Sequence, residues 1–158
     1  MNKFLAIDQG TTSSRAIIFN SELDSVIDSQ KEYSLSYPND GWVEADPLLI
    51  LNTVEETVDD VLKRTKETIT SCGITNQRET TIVWSNKTGE PIYPAIIWQD
   101  RRTHELCNLL KDEGHEKMIK EKTGLLLDPY FSATKIKWIL DNVSGARDLA
   151  DSGNLLFG

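Results

Sequence analysis

Two short apolar runs open the chain, at residues 3–8 and 14–20, with DQGTTSSR at residues 8–15 between them. Runs of this length, rich in Ile, Ala and Phe and bounded by glycine and hydroxyl residues, predict two strands joined by a turn. Ser21–Asp24 predicts a second turn and Val26–Tyr33 a third strand. Two tight connections in succession predict an antiparallel meander. The period then changes. Beyond the loop-forming YPNDG at 37–41, Asp46 is placed to cap a helix, with Pro47 at its first position. Leu48, Leu51, Val54, Val58, Val61 and Leu62 recur at spacings of three and four, the apolar stripe of an amphipathic helix.

Further along, Thr68–Thr75 (TITSCGIT) reads as a buried strand, Thr80–Trp84 as another, Asn86–Gly89 as its turn and Ile92–Trp98 as one more. Arg101–Glu113 predicts a helix with Asp100 as cap and Gly114 as stop. Ser132 is placed to cap a helix running to Asn142 with Ile136, Ile139 and Leu140 inward. Ala146–Asp151 predicts a short helix and Asn154–Phe157 the start of a strand. There is no internal repeat or low-complexity tract. Because NLLFG ends inside an apolar run, the pattern predicts a domain cut short, with unpaired strand edges near Leu155–Phe157 and self-association of the isolated chain.

The 158 residues suit one domain, which buries about 68–70% of its unfolded surface. A formal net charge of −8 argues against a general nucleic-acid binder, leaving Arg101 and Arg102 as the place for a local basic patch. Cys72 and Cys107 have no metal-type spacing, and both are expected reduced. The apolar run near the start is too short for a signal peptide, and none approaches the roughly 20 residues that span a bilayer. The expectation is a soluble, cytoplasmic protein.

The first turn has two readings. In one, Gly10 supplies a positive φ and the hydroxyls are ordinary turn residues. In the other, the turn is a cradle. Successive backbone N–H groups form an anion-binding concavity, and Thr11, Thr12 and Ser13 add donors suited to phosphate oxygens. Asp8 can hold Mg²⁺, usually through water, and Arg15 adds a permanent positive charge. No GxxxxGK[ST] occurs, so this is not a Walker loop.

GITNQRETT at 73–81 sets opposite charges side by side. One reading is a surface ion pair worth about 0–1 kcal/mol. The other is polyol recognition, with Arg78 donating in a fixed fork and Glu79 accepting. An aromatic can then cover the C–H face of a polyol. Trp98 and Tyr130 are the candidates, although as isolated residues both also suit a core.

Together these segments resemble the glycerol kinases of the FGGY carbohydrate kinase family. The residues that carry the resemblance are DQGTTSSR at 8–15, GWVE at 41–44, GITNQRETTIVW at 73–84, IIWQDRRT at 96–103 and TGLLLDPYFSATKIKWIL at 123–140. The resemblance implies an α/β fold of the actin-like ATPase (ribonuclease H-like) type, with a mixed sheet incomplete at its C-terminal end. Residues 1–158 would then be the first part of the N-terminal domain. It implies Asp8 near Mg²⁺ and the transferred phosphoryl group, and Thr11, Thr12, Ser13 and Arg15 on the nucleotide phosphates. Arg78, Glu79 and Tyr130 would bind glycerol hydroxyls, with Trp98 on the carbon face. ATP and Mg²⁺ are the implied cofactors, glycerol the substrate, and a homo-oligomer the implied assembly. The NQRETT segment favours glycerol over a pentulose. The family's catalytic aspartate lies in a Gly-Asp-Gln segment that these residues lack, so no catalytic base is expected up to Gly158, and the isolated chain is expected inactive. The alternatives are a non-catalytic polyol-binding or interaction module, and a kinase of another small polyol or ketose.

Overall fold

The computed structural model describes residues 2–158. In chain order the elements are β1 (Lys3–Gln9), β2 (Ser13–Phe19), β3 (Ser25–Glu32), β4 (Glu44–Ala45), α1 (Pro47–Arg64), β5 (Ile69–Asn76), β6 (Val83–Ser85), β7 (Ala95–Ile96), α2 (His104–Asp112), α3 (Glu116–Thr123), α4 (Ser132–Asn142), α5 (Ala146–Asp151) and β8 (Leu155–Phe157). They divide into two units. One comprises the chain up to Leu35 with Asp46–Arg78, and the other comprises Ser36–Ala45 with Glu79–Gly158.

The first unit is a four-stranded sheet in the order β3-β2-β1-β5. β1, β2 and β3 form the antiparallel meander, and β5 joins β1 in parallel. Alternation along the strands decides the faces. Leu5, Ala16 and Ile18 point to one side and meet Val61 of α1, with Ile7, Ile27, Val58 and Ile69 around them. Asp46 caps α1 as expected, its carboxylate accepting from the Leu48 and Leu49 N–H groups, with Pro47 opening the helix. The buried stripe differs from the expected one. Ile50, Thr53, Thr57 and Val61 face inward, whereas Leu48, Leu51 and Leu62 are exposed. Two threonines can line the buried face because their hydroxyls are satisfied locally. Thr53 bonds Ser14 Oγ at 2.9 Å and the Ile50 carbonyl, and Thr57 bonds the Thr53 and Val54 carbonyls. A stripe counted on apolar residues alone misses them.

β5 is a strand, but not a buried one. Ser71–Asn76 are exposed, and Ile74 is 74% accessible. The reason is its place at the end of the sheet order, while α1 packs mainly over β2 and β3.

In the second unit β4 pairs with β7 and β6 with β8, both antiparallel. Val83, Ile96 and Ile139 form its core with Ile92, Tyr93, Trp138, Val143 and Leu155. The β8 edge expected to be unpaired is therefore paired on one side, although Leu156 and Phe157 keep exposed side chains. α2 begins three residues later than expected. The Asp100 carboxylate does not cap it, because it accepts from the Val43 N–H at 2.6 Å and from Arg102. Arg102 is thus no part of a basic patch, since its side chain is wholly buried between Asp100 and Glu44. α3 was not legible beforehand. It buries no residue, so it has no apolar stripe to read. Ser132 is the first residue of α4 rather than its cap, and Ile139 is fully buried beside Thr134 and Lys135.

Candidate functional site

The turn after β1 is fixed from beneath. The Gly10 N–H donates to the Ser13 carbonyl at 2.9 Å, and the Tyr33 N–H donates to the Thr12 carbonyl at 3.0 Å. The Gly10 carbonyl accepts from the Tyr33 hydroxyl at 2.5 Å and from Gln9 Nε2 at 2.6 Å. Gln9 and Gln77 both donate their side-chain amides to the Tyr33 oxygen, at 3.0 and 2.9 Å. Burial pushes the Tyr33 phenol above its ordinary pKa, so it stays a donor. Three turn carbonyls, which would repel an anion, are thereby engaged. Gly10 is needed for a different reason than expected. It is not among the positive-φ glycines. Instead, a Cβ there would stand 3.1 Å from the Ser13 carbonyl oxygen.

Asp8 and Arg15 face each other in the β1–β2 register. They do not pair. Arg15 reaches Asp28 on β3 at 3.1 Å, and the exposed Asp8 carboxylate makes no hydrogen bond or ion pair among the described residues. The Arg15 Nε is buried and has no hydrogen-bond partner among them. An orphaned buried donor of this kind calls for an explanation, and an anionic oxygen at the turn would supply one. Ser13 Oγ accepts from Gln30 at 3.1 Å, and Thr12 is exposed. The donor set therefore fits a phosphate. A single unpaired carboxylate fits Mg²⁺, which one or two carboxylates hold together with phosphate oxygens.

In the second unit, Glu79 occupies the left-handed region at φ +64°. Its carboxylate accepts from the Ser132 N–H at 3.2 Å and the Ser132 hydroxyl at 3.0 Å, at the start of α4. The Trp98 and Tyr130 rings meet edge-on, with centroids 5.9 Å apart. Asp128 holds the loop before α4 by accepting the Tyr130 N–H at 2.8 Å. Glu79, Trp98 and Tyr130 thus belong to one arrangement. Arg78 ends the first unit with an exposed side chain that makes no bond among the described residues. Sequence reasoning missed Lys135, whose Nζ donates to the Glu79 carbonyl at 2.9 Å and the Tyr130 carbonyl at 2.6 Å. Its signal was a lysine one helical turn before the fully buried Ile139. The bracing by Gln9, Tyr33 and Gln77 had no such signal, because it joins Gln9 of β1 to residues just beyond the ends of β3 and β5.

The N-terminal domain of the FGGY family of carbohydrate kinases matches residues 3–156. The chain belongs to this family. Among its FGGY relatives, the glycerol kinase of Roseobacter denitrificans is 55% identical over 161 residues, covering 100% of this chain and 32% of that protein. The crystal structure of Plasmodium falciparum glycerol kinase with ADP superposes with a TM-score of 0.93 at 36% identity, covering 100% of this chain and 32% of that one. A ligand-bound xylulose kinase from Lactobacillus acidophilus shares the fold, with a TM-score of 0.86 at 22% identity, over 94% of this chain and 30% of that one. The fold is thus the actin-like one of the FGGY kinases, with the mixed sheet that the meander and the parallel β5 build. The chain spans about a third of the length of these relatives, at 32% for both glycerol kinases.

Proposed function

We propose that the chain is the first part of the N-terminal domain of an ATP-dependent glycerol kinase, and that it supplies the phosphate turn and part of the polyol site. The observation that carries this reading is the setting of Glu79. Its carboxylate is oriented by Ser132 beside an edge-on aromatic pair, Trp98 and Tyr130, so an acceptor for hydroxyls stands with a wall for a carbon face. Arg78, exposed and unpaired among the described residues, adds the donor fork.

Phosphoryl transfer depends mainly on positioning and charge neutralisation. In this reading Thr11, Thr12, Ser13 and Arg15 bind the nucleotide phosphates, and the unpaired Arg15 Nε is the donor that supports it. Asp8 holds Mg²⁺ through water, and the bound ion neutralises phosphate charge. Arg78, Glu79, Trp98 and Tyr130 orient the acceptor hydroxyl. The base that takes its proton comes from a Gly-Asp-Gln segment outside these residues. The same reading has the enzyme acting in the cytoplasm as a homo-oligomer. No helix among the described residues is long and apolar enough to cross a membrane, and both thiols are free.

The test compares two proteins. The product of the complete reading frame is expected to release ADP only with glycerol, whereas the 158-residue chain alone is expected to release none. In the complete protein, Glu79→Gln or Arg78→Ala raises KM for glycerol by about tenfold or more, the loss of a charge-assisted hydrogen bond. Preference for a ketose, or full activity of the short chain, overturns the assignment.

A further inference from the structure

Lys135 is fully buried on α4, yet it carries a charge that an apolar residue at the same place would not. A buried ammonium is costly unless it is paired and hydrogen-bonded. Two of its three donors reach backbone carbonyls far apart in sequence, that of Glu79 at 2.9 Å and that of Tyr130 at 2.6 Å. The ammonium also lies 6.0 Å from the Tyr130 ring centroid. Glu79 holds φ +64°, a conformation uncommon for glutamate that persists only where the surroundings enforce it. The enforcing contacts are Lys135 on its carbonyl and Ser132 on its carboxylate, both from the first turn of α4.

We propose that Lys135 is a positioning residue for the polyol site, clamping the backbone of Glu79 to that of Tyr130 so that the carboxylate and the aromatic ring are set before substrate arrives. This rests on the glycerol kinase reading above. Burial draws the Lys135 pKa down to about 8, against the carboxylates of Asp100, Glu79 and Asp128 and with Arg102 adding to the fall. At neutral pH the clamp is therefore a charged donor on two carbonyls, which makes both bonds stronger than neutral ones. The two residues it fixes are those that would touch glycerol, and neither belongs to the phosphate turn. Its loss should thus separate the two substrates.

The experiment uses the protein from the complete reading frame, with Lys135→Met and Lys135→Gln. Lys135→Met is expected to raise KM for glycerol at least tenfold while KM for ATP stays within twofold. Lys135→Gln keeps a shorter N–H donor and is expected to fall between. Equal rises in both KM values, or no rise in either, overturn the clamp. If circular dichroism shows Lys135→Met unfolded, Lys135→Gln carries the same comparison. A wild-type protein without glycerol-dependent ADP release refutes the function reading instead. The clamp is then decided by the crystal structure of Lys135→Gln. Glu79 leaving the left-handed region supports it, and Glu79 unmoved with its carboxylate still on Ser132 overturns it.

Discussion

The guanidinium carbon of Arg102 lies 3.9 Å from the centre of the Trp42 ring and 4.6 Å from that of Trp138. The two indoles meet edge-on at 5.0 Å. Round its rim the guanidinium donates to Glu44 Oε1 at 2.7 Å, to both Asp100 oxygens at 2.8 and 3.0 Å, and to the Tyr93 hydroxyl at 3.3 Å. Burial works against its charge, but the bonds to Asp100 and Glu44 outweigh it and hold its pKa above the usual arginine value. The GWVE and QDRRT segments therefore meet in one buried ion cluster, which ties β4 to the turn before α2.

Removing that guanidinium leaves the buried carboxylates of Asp100 and Glu44 without their cation. Arg102→Ala is expected to destabilise the chain by about 3–5 kcal/mol, the cost of breaking a buried pair from one side. Arg102→Lys should recover little, because an ammonium can neither fork across Asp100 and Glu44 nor stack flat on an indole. Urea unfolding of the variants checks this. A Lys variant as stable as the wild type would show that the stack and fork contribute nothing.

Tyr33→Phe tests the bracing of the turn between β1 and β2. The change leaves the Gly10 carbonyl without one donor, and the Gln9 and Gln77 amides without their shared acceptor. A loss of about 1–3 kcal/mol of stability is expected for buried groups left unpaired. On the proposed glycerol kinase reading, KM for ATP should rise in the protein from the complete reading frame while KM for glycerol holds. Steady-state kinetics with each substrate varied reads the split, and an unchanged KM for ATP refutes the role of the brace.

The first strands, the α1 cap and the α4 span were legible because each is a local signal. The meander follows from short turns between apolar runs, and Asp46-Pro47 from orphaned N–H groups at a helix start. What was not legible depends on partners distant in sequence. Thr53 reads as a polar interruption until Ser14 is opposite it. Thr68–Thr75 reads as buried because apolar and β-branched residues favour a core, and only the sheet order places β5 at an edge. Of the candidate site, the residue types could be read from the motifs. Their supports could not. Tyr33 and Lys135 act through backbone carbonyls, which carry no sequence signature.

The low pKa of Lys135 makes a prediction about stability against pH. Its folded pKa of about 8 lies below the ordinary lysine value of 10.5. Between these values the unfolded chain binds more protons than the folded one, so stability rises with pH in that window. Below pH 8 both states are protonated and the burial cost is present in full, on the order of 3 kcal/mol. Burial raises Tyr33 and Tyr93 above their ordinary value, so the phenols favour the folded state until they titrate. The unfolding free energy of the wild type relative to Lys135→Met should therefore climb between pH 8 and 10. Denaturant titrations at pH 7.5, 9 and 10 test it, and a flat difference would mean that Lys135 titrates as a solvated lysine.

The exposed liability of this chain is β5. It pairs with β1 on one side, and among the described residues no strand pairs with its other edge. Ile74 stands 74% exposed in the middle of the strand, and no proline interrupts Ile69–Asn76. An apolar edge strand with unpaired N–H and C=O groups is a template for a second chain. The 158-residue chain is thus expected to self-associate through β5, whose eight residues offer a longer free edge than the three of β8. Ile74→Lys should weaken association by placing a charge where the strands would meet, with little effect on the fold because the side chain buries almost nothing. Sedimentation velocity across a concentration series distinguishes the outcomes. A wild type that stays monomeric at every concentration, or an Ile74→Lys variant that associates as readily as the wild type, would show that β5 is not the contact.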